Sequence, residues 1–212
     1  MPNAYVKSLT DRAVLPIARG MARIGITPNW LTFAGLVLTV AGMAIVLAGA
    51  RITGAVVLAV GSLIDGFDGA VARQRNAVSA FGSFYDSVAD RVGDAVIFAG
   101  LAWMVRDEPW LFSAAMLAFA SALITSYVRA KAESLGWSAT VGLVERPERL
   151  TVVVAALAFD VVAVGVVVLA VGGLVTVAQR VWTVWRQAGR PGPASRSGRS
   201  DGGDEGRRGS AT

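Results

Sequence analysis

The stretch from Trp30 to Ala50, WLTFAGLVLTVAGMAIVLAGA, contains no charged residue. As a helix rising ~1.5 Å per residue it matches a bilayer core of about 30 Å. It is apolar on every face, with neither the 3.6-residue nor the two-residue period of a soluble element. The chain is therefore built for lipid. The next apolar run, Ile52 to Ile64, covers only roughly 20 Å. To cross, its helix must continue through DGFDGAVA, which puts Asp65 and Asp68 at a membrane boundary. A third helix mirrors it, with Asp86, Asp90 and Asp94 leading into the apolar run Ala95 to Val105. A fourth covers Trp110 to Val128. The run after Arg149 is broken only by Asp160 and divides into a fifth helix over about 146–159 and a sixth over about 161–182. The expected architecture is an all-α integral membrane protein with a six-helix domain over 29–186.

Charge orients this bundle. Of the 20 basic residues only Arg51 and Arg106 fall on one side of a six-pass arrangement. The positive-inside rule then places both termini, and the aspartates, in the cytosol, with the plasma membrane as the expected location. Residues 1–28 interleave Lys7, Asp11, Arg12, Arg19 and Arg23 with Val6, Leu9, Val14, Leu15, Ile17 and Met21. This pattern predicts an amphipathic helix lying on the membrane surface. From Gln187 to Thr212 the chain is rich in Gly, Ser, Pro and Arg, and disorder is expected there.

The chain has no cysteine and no histidine. Thiol catalysis and Cys-based metal sites are excluded. A general base must be Asp, Glu, Lys or Tyr. Metal ligands must be oxygen, which points to Mg²⁺, Mn²⁺ or Ca²⁺. A carboxylate at the centre of a membrane helix costs about 2.5–3.5 kcal/mol on insertion scales, so aspartates there are paired or functional. Asp65 and Asp68 are three apart, and Asp86 and Asp90 four apart, so each pair shares one helix face. Four such carboxylates from neighbouring helices repel one another unless a divalent cation, or two, joins them. Gly66, Gly69, Ala72 and Gly82 leave room for a bulky group near the backbone, and Arg73 stands where it could meet a phosphate. The plainer alternative is that the aspartates pair with Arg73, Arg75 and Arg91 to hold helices together. Asp94 continues the spacing without a counterpart, and a structural role is expected for it.

These residues carry a resemblance. Asp65, Asp68-Gly69, Ala72-Arg73, Gly82, Asp86 and Asp90 match the CDP-alcohol phosphotransferase pattern D-x2-D-G-x2-A-R-x8-G-x3-D-x3-D at every fixed position. The resemblance implies a six-helix membrane enzyme, usually a homodimer, that displaces CMP from a CDP-linked lipid with an alcohol. It implies metal ligation by Asp65, Asp68 and Asp86. Asp90 would serve as a further ligand or as the general base. It implies contacts to the CDP diphosphate from Gly69 and Arg73, with Ser79 nearby. Asn29 and Thr32, in ITPNWLT, match the family segment that meets the nucleotide. Mg²⁺, or Mn²⁺ in its place, is the expected cofactor, with two ions, and no nucleic acid partner is expected.

The acceptor is the remaining unknown. Arg129, Lys131, Arg146 and Arg149 lie on the cytosolic side in SYVRAKAESLGWSATVGLVERPERL, and Arg180 faces the same side. Converging cations suit an acceptor that carries its own phosphate. SYVRAKAE, ERPERL and LPIARG also resemble the phosphatidylinositol phosphate synthases of actinobacteria. That resemblance implies CDP-diacylglycerol and inositol phosphate as substrates, and acceptor-phosphate contacts at Lys131, at Arg146 or Arg149, and at Arg180. The rival reading is a phosphatidylglycerophosphate synthase, whose glycerol 3-phosphate acceptor needs a similar pocket. A neutral alcohol suits the basic cluster less well. A divalent-cation channel or carrier would want polar residues through the full membrane depth, and the outer halves of the helices are apolar.

Overall fold

The structure, a computed structural model, describes residues 16–21, 23–74 and 79–189. Among these, seven helices follow one another: α1 (Pro28–Leu47), α2 (Arg51–Asp65), α3 (Asp68–Gln74), α4 (Ala80–Met104), α5 (Pro109–Ser134), α6 (Arg146–Ala158) and α7 (Val162–Ala188). Residues 16–21 are also helical. The described chain contains no strand.

Four stretches are long and apolar enough to cross a membrane: Pro28–Leu47, Arg51–Gln74, Pro109–Ser134 and Val162–Ala188. The six expected helices all form, but the other two do not meet that standard. The helix α4 is long enough, yet it carries Asp86, Asp90, Arg91 and Asp94. The helix α6 has only 13 residues.

Local chemistry sets the helix ends. Thr27 caps α1, its side chain accepting from the Trp30 amide, and Pro28 occupies the first turn, where no amide donor is needed. Gly49, at φ 98°, takes the left-handed conformation that lets α1 reverse into α2. Ser79 caps α4 by accepting from the Gly82 amide at 3.0 Å. The Glu148 side chain accepts from the Glu145 amide at 3.1 Å at the start of α6. The expected turn at Asp160 is present: its φ is 57°, its carboxylate pairs with Arg51, and α6 and α7 join there.

Two expectations need correction. The second helix does not run unbroken through DGFDGAVA. It stops at Asp65, turns at Gly66 and Phe67, and restarts as α3 at Asp68. The expected tail begins too early, because α7 continues to Ala188 and the Gln187 side chain bonds both the Ser138 amide and its carbonyl. The N-terminal surface helix lies mostly outside the described residues. Its described part packs Ala18 against Leu31, Ala70 and Val71. The tail from residue 190 onward also lies outside them.

The core explains how the site is held. The helices α1 and α2 meet along Gly35, Gly42, Gly54 and Gly61, where an added Cβ would lie 2.4–2.9 Å from the facing helix. Small residues let backbones approach this closely in membrane helix pairs. The buried centre is built from Leu58, Phe98, Leu101, Val153, Leu157, Val166 and Leu169. Outward-facing Val37, Val40, Val56, Val164 and Val171 are exposed, the composition of a lipid-facing surface.

Candidate active site

The break after α2 does chemical work. Asp65 ends α2, Asp68 opens α3, and α4 brings Asp86 alongside. Oxygen atoms from these three carboxylates lie within 4.8 Å of one another. Asp65 is only 7% exposed, because Gly35 lets α1 press against it. Asp68 is fixed from two sides: Thr32 donates to Oδ2 at 2.8 Å, and the Gly69 amide donates to Oδ1. Three carboxylates this close repel each other unless a cation joins them. Their oxygen-only donor set and mutual spacing fit a hard divalent ion.

Asp90 stands apart from this group. Arg146 Nη1 is 2.8 Å from Asp90 Oδ1 and donates to Asp65 Oδ2 at 2.5 Å. Arg91 reaches Asp90 Oδ2 at 3.3 Å. Asp94, one turn further along α4, is not near the cluster. It accepts from Arg149 Nη2 at 2.8 Å, with both side chains 8% exposed.

Two cavities, each of about 420 Å³, flank the cluster. The first is lined by Asn29, Thr32, Gly69, Arg73 and Ser79, all five residues expected to meet the nucleotide, together with Asp68 and Asp86. Gly69 and Gly82 open directly onto it. The second is lined by Arg129, Arg146, Arg149 and Arg180, with Asp86 and Asp90 on its wall. The two share Ser83 and Asp86, so they adjoin at one carboxylate.

Lys131 is the expected acceptor residue that the structure does not bring here. It is exposed on α5 and lines neither cavity. Arg180 is 3% exposed and heavily engaged. It donates to the carbonyls of Val141 and Thr125 at 2.8 and 2.9 Å and to Glu145 Oε1 at 2.6 Å. This residue ties the 135–145 segment to α5 and α7.

Sequence reasoning overlooked Thr125 and Glu133 as cavity residues and treated Arg91 only as a pairing partner. Glu133 follows Arg129 by one helical turn, a spacing that foretells their 2.9 Å pair. Thr125 has no such signal. Its place on the wall arises from the packing of α5 against α7.

Comparison with known proteins agrees with this geometry. The phosphatidylinositol phosphate synthase of Mycobacterium tuberculosis (strain ATCC 25618 / H37Rv) is 34% identical over 192 residues, covering 84% of this chain and 88% of that protein. The archaetidylinositol phosphate synthase of Pyrococcus horikoshii is 36% identical over 169 residues, covering 78% and 87%. A crystal structure of the M. tuberculosis synthase with CDP-DAG bound superposes with a TM-score of 0.75 at 34% identity, covering 82% of this chain and 94% of that one. Another, in complex with manganese and citrate, gives 0.74 at 34% identity over 81% and 88%. The profile of the CDP-alcohol phosphatidyltransferases matches residues 25–185, and with the aspartate cluster set between two adjoining cavities, the chain belongs to that family.

Proposed function

We propose that the protein is a phosphatidylinositol phosphate synthase, moving the phosphatidyl group of CDP-diacylglycerol to inositol phosphate and releasing CMP. One observation carries this reading: a cavity with a nucleotide-type lining adjoins an arginine-lined cavity at Asp86. The first suits the CDP portion of the lipid. Gly69 and Gly82 admit the diphosphate close to the backbone, and Arg73 offers it a cation. The second suits an acceptor that brings its own phosphate to Arg129, Arg146, Arg149 and Arg180. Similarity to synthases named for inositol phosphate products supports that acceptor.

In this reading Asp65, Asp68 and Asp86 hold Mg²⁺ or Mn²⁺, with two ions expected. Bound there, the metal would offset the diphosphate charge and favour CMP as a leaving group. An acceptor hydroxyl oxygen attacks the phosphorus that carries diacylglycerol. The bond from that phosphorus to the CMP oxygen breaks, and the hydroxyl proton passes to Asp90. Asp90 lines the acceptor cavity, and with no histidine in the chain a carboxylate is the natural base. Arg146 and Arg91, both paired with Asp90, orient it.

We further infer six membrane passes in the plasma membrane, with α4 and α6 completing the four longer spans and both termini and the site in the cytosol. Charge supports this, since among the described residues Arg51 and Arg106 are the basic residues placed at the far ends of the helices. A homodimer is proposed from the family resemblance.

The test is CMP release from CDP-diacylglycerol by purified protein with Mn²⁺ or Mg²⁺, with inositol 1-phosphate, inositol and glycerol 3-phosphate offered separately. Turnover with inositol phosphate alone is expected. Turnover with glycerol 3-phosphate alone would move the protein to the rival synthase. No CMP with any acceptor would overturn the reading.

A further inference from the structure

We propose that Asp94 is a positioning residue for acceptor binding: it grips Arg149 from behind and leaves the rest of that guanidinium turned to the arginine-lined cavity. The proposal rests on the synthase reading above, which makes this cavity the acceptor site.

The cavity's other arginines are held from the front. Arg91 pairs with Asp90, Arg129 with Glu133, Arg180 with Glu145, and Arg146 with Asp90 as well as with Asp65 outside the cavity, so each has at least one carboxylate partner on the cavity wall. Asp90, Glu133 and Glu145 all line the same cavity. An incoming phosphate must compete with them for the guanidinium groups. Arg149 differs. Its one carboxylate partner does not line that cavity; Asp94 lies instead on a small cavity of about 30 Å³ between α1, α2, α4 and α6, beside Asp65 and Arg146. Arg149 lines both.

Guanidinium presents five donors in a rigid fork. Asp94 takes one, on Nη2. Arg149 Nε is buried and has no hydrogen-bond partner among the described residues, a costly condition for a charged group. That nitrogen has almost no accessible surface, so a phosphate in the cavity would meet the exposed part of the fork, and it would displace no carboxylate from Arg149. Asp94 also makes the buried cation tolerable when no acceptor is present, since a buried charge stripped of its partner is strongly destabilising. Spacing places this support in register: Asp94 is one turn from Asp90 on α4, and Arg149 is three residues from Arg146 on α6, so two ion pairs cross the same seam.

The experiment uses Asp94→Asn, Arg149→Met and the double variant, each in the full chain in detergent. Two readouts are taken: steady-state kinetics, and the shift in Tm that inorganic phosphate produces in metal-free protein. Each variant is expected to raise the KM for inositol phosphate roughly tenfold, as for loss of one hydrogen bond to a charged group. The KM for CDP-diacylglycerol and the Mn²⁺ requirement should stay unchanged, and the phosphate-induced Tm shift should shrink. The double variant should be no worse than either single one, since the residues act as a unit. A merely structural pair would lower Tm without moving the KM of one substrate alone. Folded Asp94→Asn protein with wild-type acceptor KM and phosphate response would overturn the proposal. If that variant does not fold, the charge-free double variant decides, and wild-type phosphate response there overturns it equally. Failure of the synthase reading would show separately, as no CMP release by the wild-type protein with inositol phosphate.

Discussion

Gly35→Ala is a one-methyl change at a residue that lines neither substrate cavity, yet it should cripple the enzyme. A Cβ at position 35 would stand 2.8 Å from Asp65 Cβ and 3.0 Å from the Gly61 carbonyl oxygen. Carbon atoms pack at about 3.5–4.0 Å, so α1 and α2 must part by roughly 0.7–1.2 Å at this level. In a free helix the change would gain about 1 kcal/mol, whereas overpacking costs about 1–3 kcal/mol. Net stability should fall by at most about 2 kcal/mol, and the protein should still fold. Asp65, however, moves with α2. Metal ligation tolerates deviations of only about 0.2 Å, and a misplacement of ~1 Å can cost about a hundredfold in rate. The measurement is kcat for CMP release and the Mn²⁺ concentration at half-maximal rate, with Gly54→Ala as the control. That Cβ would lie 2.4 Å from Val46 Cγ2 and 2.6 Å from the Gly42 oxygen, a harsher clash at the opposite end of the same helix pair. The control should lose more Tm and keep kcat within a few-fold of wild type, while Gly35→Ala loses about two orders of magnitude and needs more Mn²⁺. Gly35→Ala protein with normal kcat and Mn²⁺ dependence would refute the claim that this contact places Asp65.

Further tests bear on the other elements. Asp68→Asn and Asp86→Asn should each abolish CMP release and Mn²⁺ binding with little loss of Tm, and an active Asp68→Asn enzyme would remove it from the metal site. Arg180→Ala removes two hydrogen bonds to the 135–145 segment and one to Thr125 on α5; it should lower stability by about 3 kcal/mol and raise the acceptor KM, checked by thermal melts beside kinetics. A chain ending at residue 189 should keep the activity and Tm of the full protein, and loss of either would give residues 190–212 a role.

Much of this architecture is legible because lipid and charge leave few choices. Uncharged runs such as Trp30 to Ala50 must be helices, and Asp160 in the midst of valines must be a turn. The aspartate spacing pointed to four converging carboxylates; Asp65, Asp68 and Asp86 come together, while Asp90 pairs with Arg146 and Arg91 instead. What it could not foretell is the break at Gly66 and Phe67. A continuous helix would also put Asp65 and Asp68 on one face, and sequence periodicity cannot separate that from two helices joined by a two-residue turn. Nor could spacing separate the arginines. Arg146 and Arg149 lie one turn apart with equal charge, yet Arg146 reaches Asp65 and Asp90 while Arg149 is buried on Asp94. That difference depends on how α6 packs on α2, a long-range property absent from any local window. Lys131 shows the converse: its position in a basic segment suggested the cavity, but it is exposed on α5 outside the lining.

Arg146 raises a question of competition that has a definite sign. Its guanidinium serves two carboxylates, Asp65 at 2.5 Å and Asp90 at 2.8 Å. Asp65 is one of three residues suited to a divalent ion, so the arginine and a metal draw on the same carboxylate. At about 4 Å each charge pair is worth about 1 kcal/mol even at water-like screening. Removing the arginine therefore strips a competing cation from the cluster, and Arg146→Met should bind Mn²⁺ several-fold to tenfold more tightly. The same variant loses a cation from the acceptor cavity and the partner that orients Asp90, so its acceptor KM should rise and its kcat should fall. Tighter metal with poorer turnover is an unusual combination, and a structural arginine would not produce it, because loosening the fold weakens both. Isothermal titration with Mn²⁺, beside kinetics on the same preparation, separates the cases. Weaker Mn²⁺ binding in folded Arg146→Met protein would show that the arginine supports the metal cluster, and would limit its competition with the ion to a minor effect.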